Sequence, residues 1–271
     1  MKPTGPRLPV RCQITFAYIS SLAICVGIAV ASVVGFALGR DGLYKTSKSV
    51  LVSPGGDAAN LSLVLPTLLC SLCLAKRGSL VGMLLWPGAL FYCLYAYLPY
   101  LVGAPFTVLV FLHAALVTFS AFTVIGLLAR IDGEEVRQRL EAAPVRNIGG
   151  AIVVIAVLAY AGLTVNAISA LANPVVEPAM RGHWVADWAV GTPALLVGGF
   201  LAWRRAPFGY TTALGLLLVS ALGGLAFAIA AVVDNLLANQ HTELAVIAVH
   251  LVISAVSLVL IGLFVSRSRL L

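Results

Sequence analysis

Charge is what this chain has least of. Asp, Glu, Lys and Arg together make up 10% of its 271 residues, while 61% are apolar, against about 25% charged and about 45–50% apolar in an average soluble domain. That balance excludes a soluble globular fold. It excludes disorder as well, because disordered chains combine high charge with low hydrophobicity. Absent too is any period-2 alternation of polar and apolar residues over ten-residue stretches, which a membrane barrel requires. There is no His-x-x-His, no Cys-x-x-Cys-His, no phosphate loop, no nucleophile elbow and no zinc-protease signature, so no motif requires a cofactor or a metal or marks a catalytic residue. What remains is an all-α, polytopic membrane helix bundle.

A helix crosses ~30 Å of hydrocarbon with about 20 apolar residues. Eight segments meet or approach that length: Ile14–Leu38, Ala58–Ala75, Ser79–Leu101, Phe106–Ala129, Gly149–Ala172, Val185–Trp203, Pro207–Val233 and Leu244–Ser266. The first is longer than a signal-peptide core, so it is expected to stay in the mature protein despite the basic start and Ala29-Val30-Ala31. With eight crossings and a cytoplasmic N-terminus, the inner side carries Lys2, Arg7, Arg11, Lys76, Arg77, Arg130, Arg137, Arg139, Arg146, Arg204, Arg205, Arg267 and Arg269. The outer side keeps Arg40, Lys45, Lys48 and Arg181, a 13-to-4 division of the 17 basic residues that follows the positive-inside rule. The net charge of +7 is thereby assigned to topology rather than to nucleic acid, since no basic cluster sits on a soluble domain. Both termini are expected inside.

The loops are too short for a soluble catalytic domain, and the chain reads as one integral membrane domain, 1–271. The longest inner loop reads as a surface helix within 131–147. Asp132 caps it, Glu135 completes a capping-box pattern, and Val136 and Leu140 share a face that lies at the headgroups or docks a protein partner. Outside, Ser53-Pro54-Gly55-Gly56 is a turn sequence.

Pro193 lies 127 residues after Pro66, and the same offset places Asp187 over Asn60, Arg204 over Arg77, Gly209 over Gly82 and Gly215 over Gly88. Ile125-Gly126-Leu127 and Ile261-Gly262-Leu263 also correspond once a few residues are inserted. The expectation is a duplicated four-helix unit, repeats 12–130 and 148–271, in parallel orientation about an axis along the membrane normal.

Leu74-Ala75-Lys76-Arg77-Gly78-Ser79, then Leu85-Trp86-Pro87-Gly88-Ala89-Leu90 with Tyr92 and the tyrosines after it, then Asp187 through Pro193 to Arg204-Arg205 and Gly209-Tyr210 form a pattern from the second to the seventh segment. It resembles a family of prokaryotic eight-helix membrane proteins of uncharacterised function. The resemblance implies a multi-pass protein of a prokaryotic plasma membrane and transfers no catalytic residue.

Every charged residue falls at a segment end or in a loop, which argues against an ion-coupled pump. Histidine is sided: His113, His183, His241 and His250 all fall in the outer half or its loops. The candidate ligand-binding residues are Asn60, Tyr95, His113, Asp187, Asp234 and His250, facing an outward cavity. Tyr92, Tyr95, Tyr97 and Tyr100 read as an interfacial aromatic belt or a ligand wall, and Asn166 as a bond to a neighbouring helix. Cys12, Cys25, Cys70, Cys73 and Cys93 read as small apolar packers. The leading functional expectation is non-enzymatic binding or translocation of a small or lipid-like ligand. The alternatives are a haem- or metal-bearing or other membrane enzyme using the outer histidines, and a scaffold or assembly partner.

Overall fold

The computed structural model describes residues 8–44, 49–103, 106–172, 176, 178–238 and 242–267. Lys2, Arg7, Lys45, Lys48, His241 and Arg269, used above for sidedness, lie outside them. Among the described residues, eight helices are long and apolar enough to cross a membrane, and one short helix lies between the fourth and fifth of these. They are α1 (Thr15–Gly42), α2 (Pro54–Lys76), α3 (Leu80–Gly103), α4 (Leu109–Arg130), the short α5 (Gly133–Arg139), α6 (Val145–Leu171), α7 (Ala179–Trp203), α8 (Pro207–Ala238) and α9 (Leu244–Arg267). This is an integral membrane protein built as an all-α bundle.

The two most buried spans, α3 and α8, form the centre. They cross at Gly88 and Gly215, where the Cα of Gly88 lies 3.0 Å from the place a Cβ on Gly215 would occupy. With no side chain on either helix the backbones meet directly, and dispersion over that contact replaces contact with lipid. Around this crossing, α4 packs on α3 and α1, while α9 packs on α8. α2 and α7 fill corresponding gaps: the start of α2 lies on α8, and the start of α7 lies on α3.

Each of α2 and α7 contains a π-helical turn, Asn60–Val64 and Asp187–Gly191. The Leu65 N–H donates to the Asn60 carbonyl and the Thr192 N–H to the Asp187 carbonyl, one residue farther back than in an α-helix. Pro66 and Pro193 follow at once. A proline ring has no N–H to give and collides with the carbonyl of the preceding turn, and a widened turn relieves the collision. The correspondence continues downstream. Gly78 and Arg205 both adopt positive φ, 84° and 56°. The N–H groups of Ser79 and Ala206 reach back to the carbonyls of Leu74 and Leu201 at 3.0 and 2.9 Å. Gly82 and Gly209 each sit against the backbone at those same residues.

The short helix α5 is capped as expected, the Asp132 carboxylate accepting from the Glu134 and Glu135 N–H groups at 3.1 and 3.2 Å. Those N–H groups, Glu135's foremost, together with Arg11 at 3.5 Å, hold this carboxyl below its ordinary pKa. Val136 and Leu140 are both buried, so the apolar face of α5 is already spent on the bundle. Its exposed side shows Arg137 and Arg139 paired to Glu134 and Glu135. Val10 bridges Ile131, and Gly133 lies against Pro207, which gathers the N-terminal segment, α5 and the α7–α8 turn on one face, hereafter the terminal face. The opposite one is the distal face.

Several expectations change. Ser53-Pro54-Gly55-Gly56 is the capped start of α2 rather than a turn: the Ser53 hydroxyl accepts from the Gly56 N–H at 3.1 Å, and Pro54 occupies the first helical turn. The sixth span begins near Ala179 and not at Val185. That carries Asp187 about 12 Å along the helix from its distal end. Tyr92, Tyr97 and Tyr100 are buried, because α3 is a central helix and they face neighbouring helices rather than lipid. Asn166 is exposed on the outer surface of α6, so it does not serve as a bond between helices. Only Cys25 and Cys93 are buried packers, whereas Cys12, Cys70 and Cys73 are exposed.

Candidate functional site

Polar side chains in the distal half collect around the starts of α2 and α7. Gly55 and Gly56 let α2 press into the bundle: a Cβ on Gly55 would strike the Ala230 carbonyl, and one on Gly56 the Leu51 carbonyl. That approach puts Asp57, in the first turn of α2, 1% exposed in the interior. Its carboxylate accepts from the Tyr44 hydroxyl and faces the Tyr100 hydroxyl at 3.5 Å. Ser32 also bonds to it and lies 3.2 Å from the Tyr97 hydroxyl. Gly35 is required on α1, because any side chain there would overlap Asp57 and Tyr44. Burial first, and then the neighbouring Asp57 charge, drive the Tyr44 phenol far above its ordinary pKa, so it remains a donor.

Asp234, near the distal end of α8 and equally buried, accepts from the Gly55 N–H at 3.0 Å. Asp234 thereby satisfies one of the N–H groups that the start of α2 leaves without an intrahelical partner. Asp234 and Asp57 are close enough to interact electrostatically.

A second group surrounds the π turn of α7. The Asp187 carboxylate accepts from the Tyr95 hydroxyl of α3 at 2.6 Å. Gly191 lets the Tyr95 ring approach to 3.2 Å from its would-be Cβ. Nearby along the helix, Trp184 and Trp188 are tilted together at 6.3 Å. The His183 Nε2 and Trp188 Nε1 are buried with no protein partner.

The six candidate residues therefore fall into separate places. Tyr95 and Asp187 are joined directly. Asp234 joins the start of α2, where Asp57, Tyr44 and Ser32 carry as much of the network as any candidate. His113 is buried at 3% exposure, with its ring 5.1 Å from Tyr100 and 5.8 Å from Tyr97. Asn60 is buried within the α2 π turn. His250 stands apart: its ring stacks on Phe227 at 3.9 Å, and a ring nitrogen contacts the Val246 carbonyl of its own helix at 2.8 Å. His241 lies outside the described residues. Among the described residues, no three His, Cys, Asp or Glu side chains converge as a metal-ligand group.

Asp57 and Tyr44 are absent from the candidates because Ser53-Pro54-Gly55-Gly56 reads as a turn, which leaves Asp57 in a loop. The missed signal was serine before proline with an acid in the first turn, a helix start by cap, N1 proline and dipole.

Compared with known proteins, no family model, no curated protein and no solved structure matches this chain.

Proposed function

We propose that this protein binds, and by opening at its two π turns translocates, a small hydrogen-bonding ligand through the distal half, without catalysis. The observation that carries the reading is the Asp187–Tyr95 pair, a carboxylate deep in one span held by a hydroxyl from the central helix. Ionisable groups in hydrocarbon are costly and are kept where they serve a ligand or a pathway. A ligand N–H or O–H replaces the Tyr95 hydroxyl on Asp187 without leaving the carboxylate unpaired. The widened turn at Asp187–Gly191 is a local irregularity of the kind that π turns bring to functional sites.

The same reading places both termini in the cytoplasm of a prokaryotic cell, with the distal face outside. It takes the paired π turns, paired positive-φ residues and Gly88–Gly215 contact as marks of a four-helix unit duplicated about a pseudo-two-fold axis. A two-fold axis passes where equivalent residues touch each other. Reporter fusions after Arg11 and at Leu271 should both report cytoplasm. Opposite locations for the two ends would refute the eight-span orientation.

The ligand test is native mass spectrometry of the detergent-extracted protein, followed by titration of whatever molecule is retained. Asp187→Asn should weaken its binding by about tenfold or more, the value of a hydrogen bond to a charged group, whereas Tyr95→Phe, which removes the hydroxyl that the ligand displaces, should leave binding undiminished. Unchanged binding in Asp187→Asn, with the fold intact, removes the site.

A further inference from the structure

A second feature lies on the other half of the membrane and does not depend on the distal site. Between α3, α4, α7 and α8 a cavity of about 220 Å³ opens sideways. Gly88 and Gly215 line its depth, and Val124 and Leu128 of α4 form one wall. Val197 and Phe208 also border it, and they are 59% and 47% exposed on the lipid-facing surface, so the opening is toward the bilayer. Apart from Thr212, the side chains lining it are hydrocarbon. The Thr212 hydroxyl is already bonded to the Phe208 carbonyl at 2.9 Å. Nothing in that lining hydrogen-bonds to a polar ligand. It suits an alkyl chain.

Its position says whose chain. The cavity runs along α8 from Phe208 to Val219, about 16 Å at 1.5 Å per residue, which is close to one leaflet's half of the ~30 Å hydrocarbon core. Its terminal-face end stops beside the α7–α8 turn, where exposed Trp203 marks the headgroup level as interfacial tryptophans do. Arg204 and Arg205 follow in that turn, both exposed and without an acidic ion-pair partner among the described residues. Arg204 rests over the Phe200 ring at 5.8 Å. The α5 arginines are different, being already paired to Glu134 and Glu135. The cavity also depends on a glycine. At Gly198 a side chain would meet Leu216, whereas the residue 127 positions earlier, Ser71, carries a side chain that is buried and bonded to the Thr67 carbonyl.

We propose that this cavity is a binding site for an anionic phospholipid of the terminal-face leaflet, one acyl chain lying against Gly88, Gly198 and Gly215 and the phosphate held by Arg204 and Arg205. Guanidinium groups grip phosphate by paired N–H donors, and the apolar cavity replaces one annular contact with an enclosed one.

The test uses full-length protein, delipidated in detergent and titrated with phosphatidylglycerol, phosphatidylcholine or glycerol phosphate, with bound lipid read by native mass spectrometry. Phosphatidylglycerol should bind most tightly, and Arg204→Gln and Arg205→Gln should each weaken it about fivefold, the effect of one basic residue at an anionic surface. Gly198→Leu should remove the bound lipid. Because that variant risks misfolding, wild-type protein in nanodiscs is also photolabelled with phosphatidylglycerol carrying a mid-chain diazirine. Labels should concentrate on α4, α7 and α8 around Val124, Val197 and Thr212. Equal binding of phosphatidylcholine, binding of glycerol phosphate alone, or labels spread over the outer faces of α1, α6 and α9 would each overturn the proposal.

Discussion

Gly88→Leu and Gly215→Leu should each abolish recovery of monodisperse folded protein, read by size-exclusion chromatography and thermal unfolding in detergent. At Gly126 or Gly198 an added side chain meets the end of another side chain, which can rotate away. At Gly88 it meets the Cα, carbonyl carbon and oxygen of Gly215, and backbone cannot move without separating α3 from α8. These are the two central helices, so the displacement reaches every neighbour. The expected cost is about 3 kcal/mol or more, the upper end for overpacking. Gly162→Leu and Gly262→Leu are the controls, since nothing lies within 4 Å of a Cβ at either position, and both should behave as wild type. A Gly88→Leu protein as stable as these controls would mean that α3 and α8 do not cross at this distance.

Asp57→Ala should destabilise the protein by about 3 kcal/mol, since it leaves the buried Tyr44 and Tyr100 hydroxyls without their acceptor and each unsatisfied group costs roughly 1–3 kcal/mol. The diagnostic result is the double variant. Tyr44→Phe alone removes one of the donors on the Asp57 carboxylate, but Tyr44→Phe on top of Asp57→Ala removes a hydroxyl that is already stranded. The second change should therefore be neutral or restoring, a coupling that a thermal-unfolding cycle resolves. Additive losses would show that the two side chains do not act as a pair. Asp57→Asn, which keeps an oxygen acceptor, should fall between wild type and Asp57→Ala.

The spans were legible because length and hydropathy suffice to find them. Seven of the eight terminal-face ends fall within one residue of the expected positions and the start of α6 within four, and the basic residues supplied the boundaries there. The register of Pro66 and Pro193 was legible too, and it coincides with the two π turns, because proline acts on the backbone of the preceding turn wherever it stands. The Asp187–Tyr95 pair was legible as two candidate residues but not as a contact. They lie on different helices, and no local periodicity relates α3 to α7. Asp57 was lost through one misread capping signal, after which its partners Tyr44 and Ser32 had no reason to be grouped with it.

The amino-acid sequence by itself determined that this is a helical membrane protein with eight spans, where proline interrupts two of them and which glycines recur at one offset. Those properties depend on the energy of putting each backbone segment in hydrocarbon, which composition fixes. The tertiary structure alone decided that α3 and α8 are central, that Tyr92, Tyr97 and Tyr100 pack inside the bundle, and that Asp57, Asp187 and Asp234 have buried partners. Lipid tails are as apolar as leucine, so hydrophobicity cannot distinguish a face that meets lipid from one that meets protein. Only the fit between helices, set here by glycine contacts and carboxylate–hydroxyl pairs across the bundle, makes that choice.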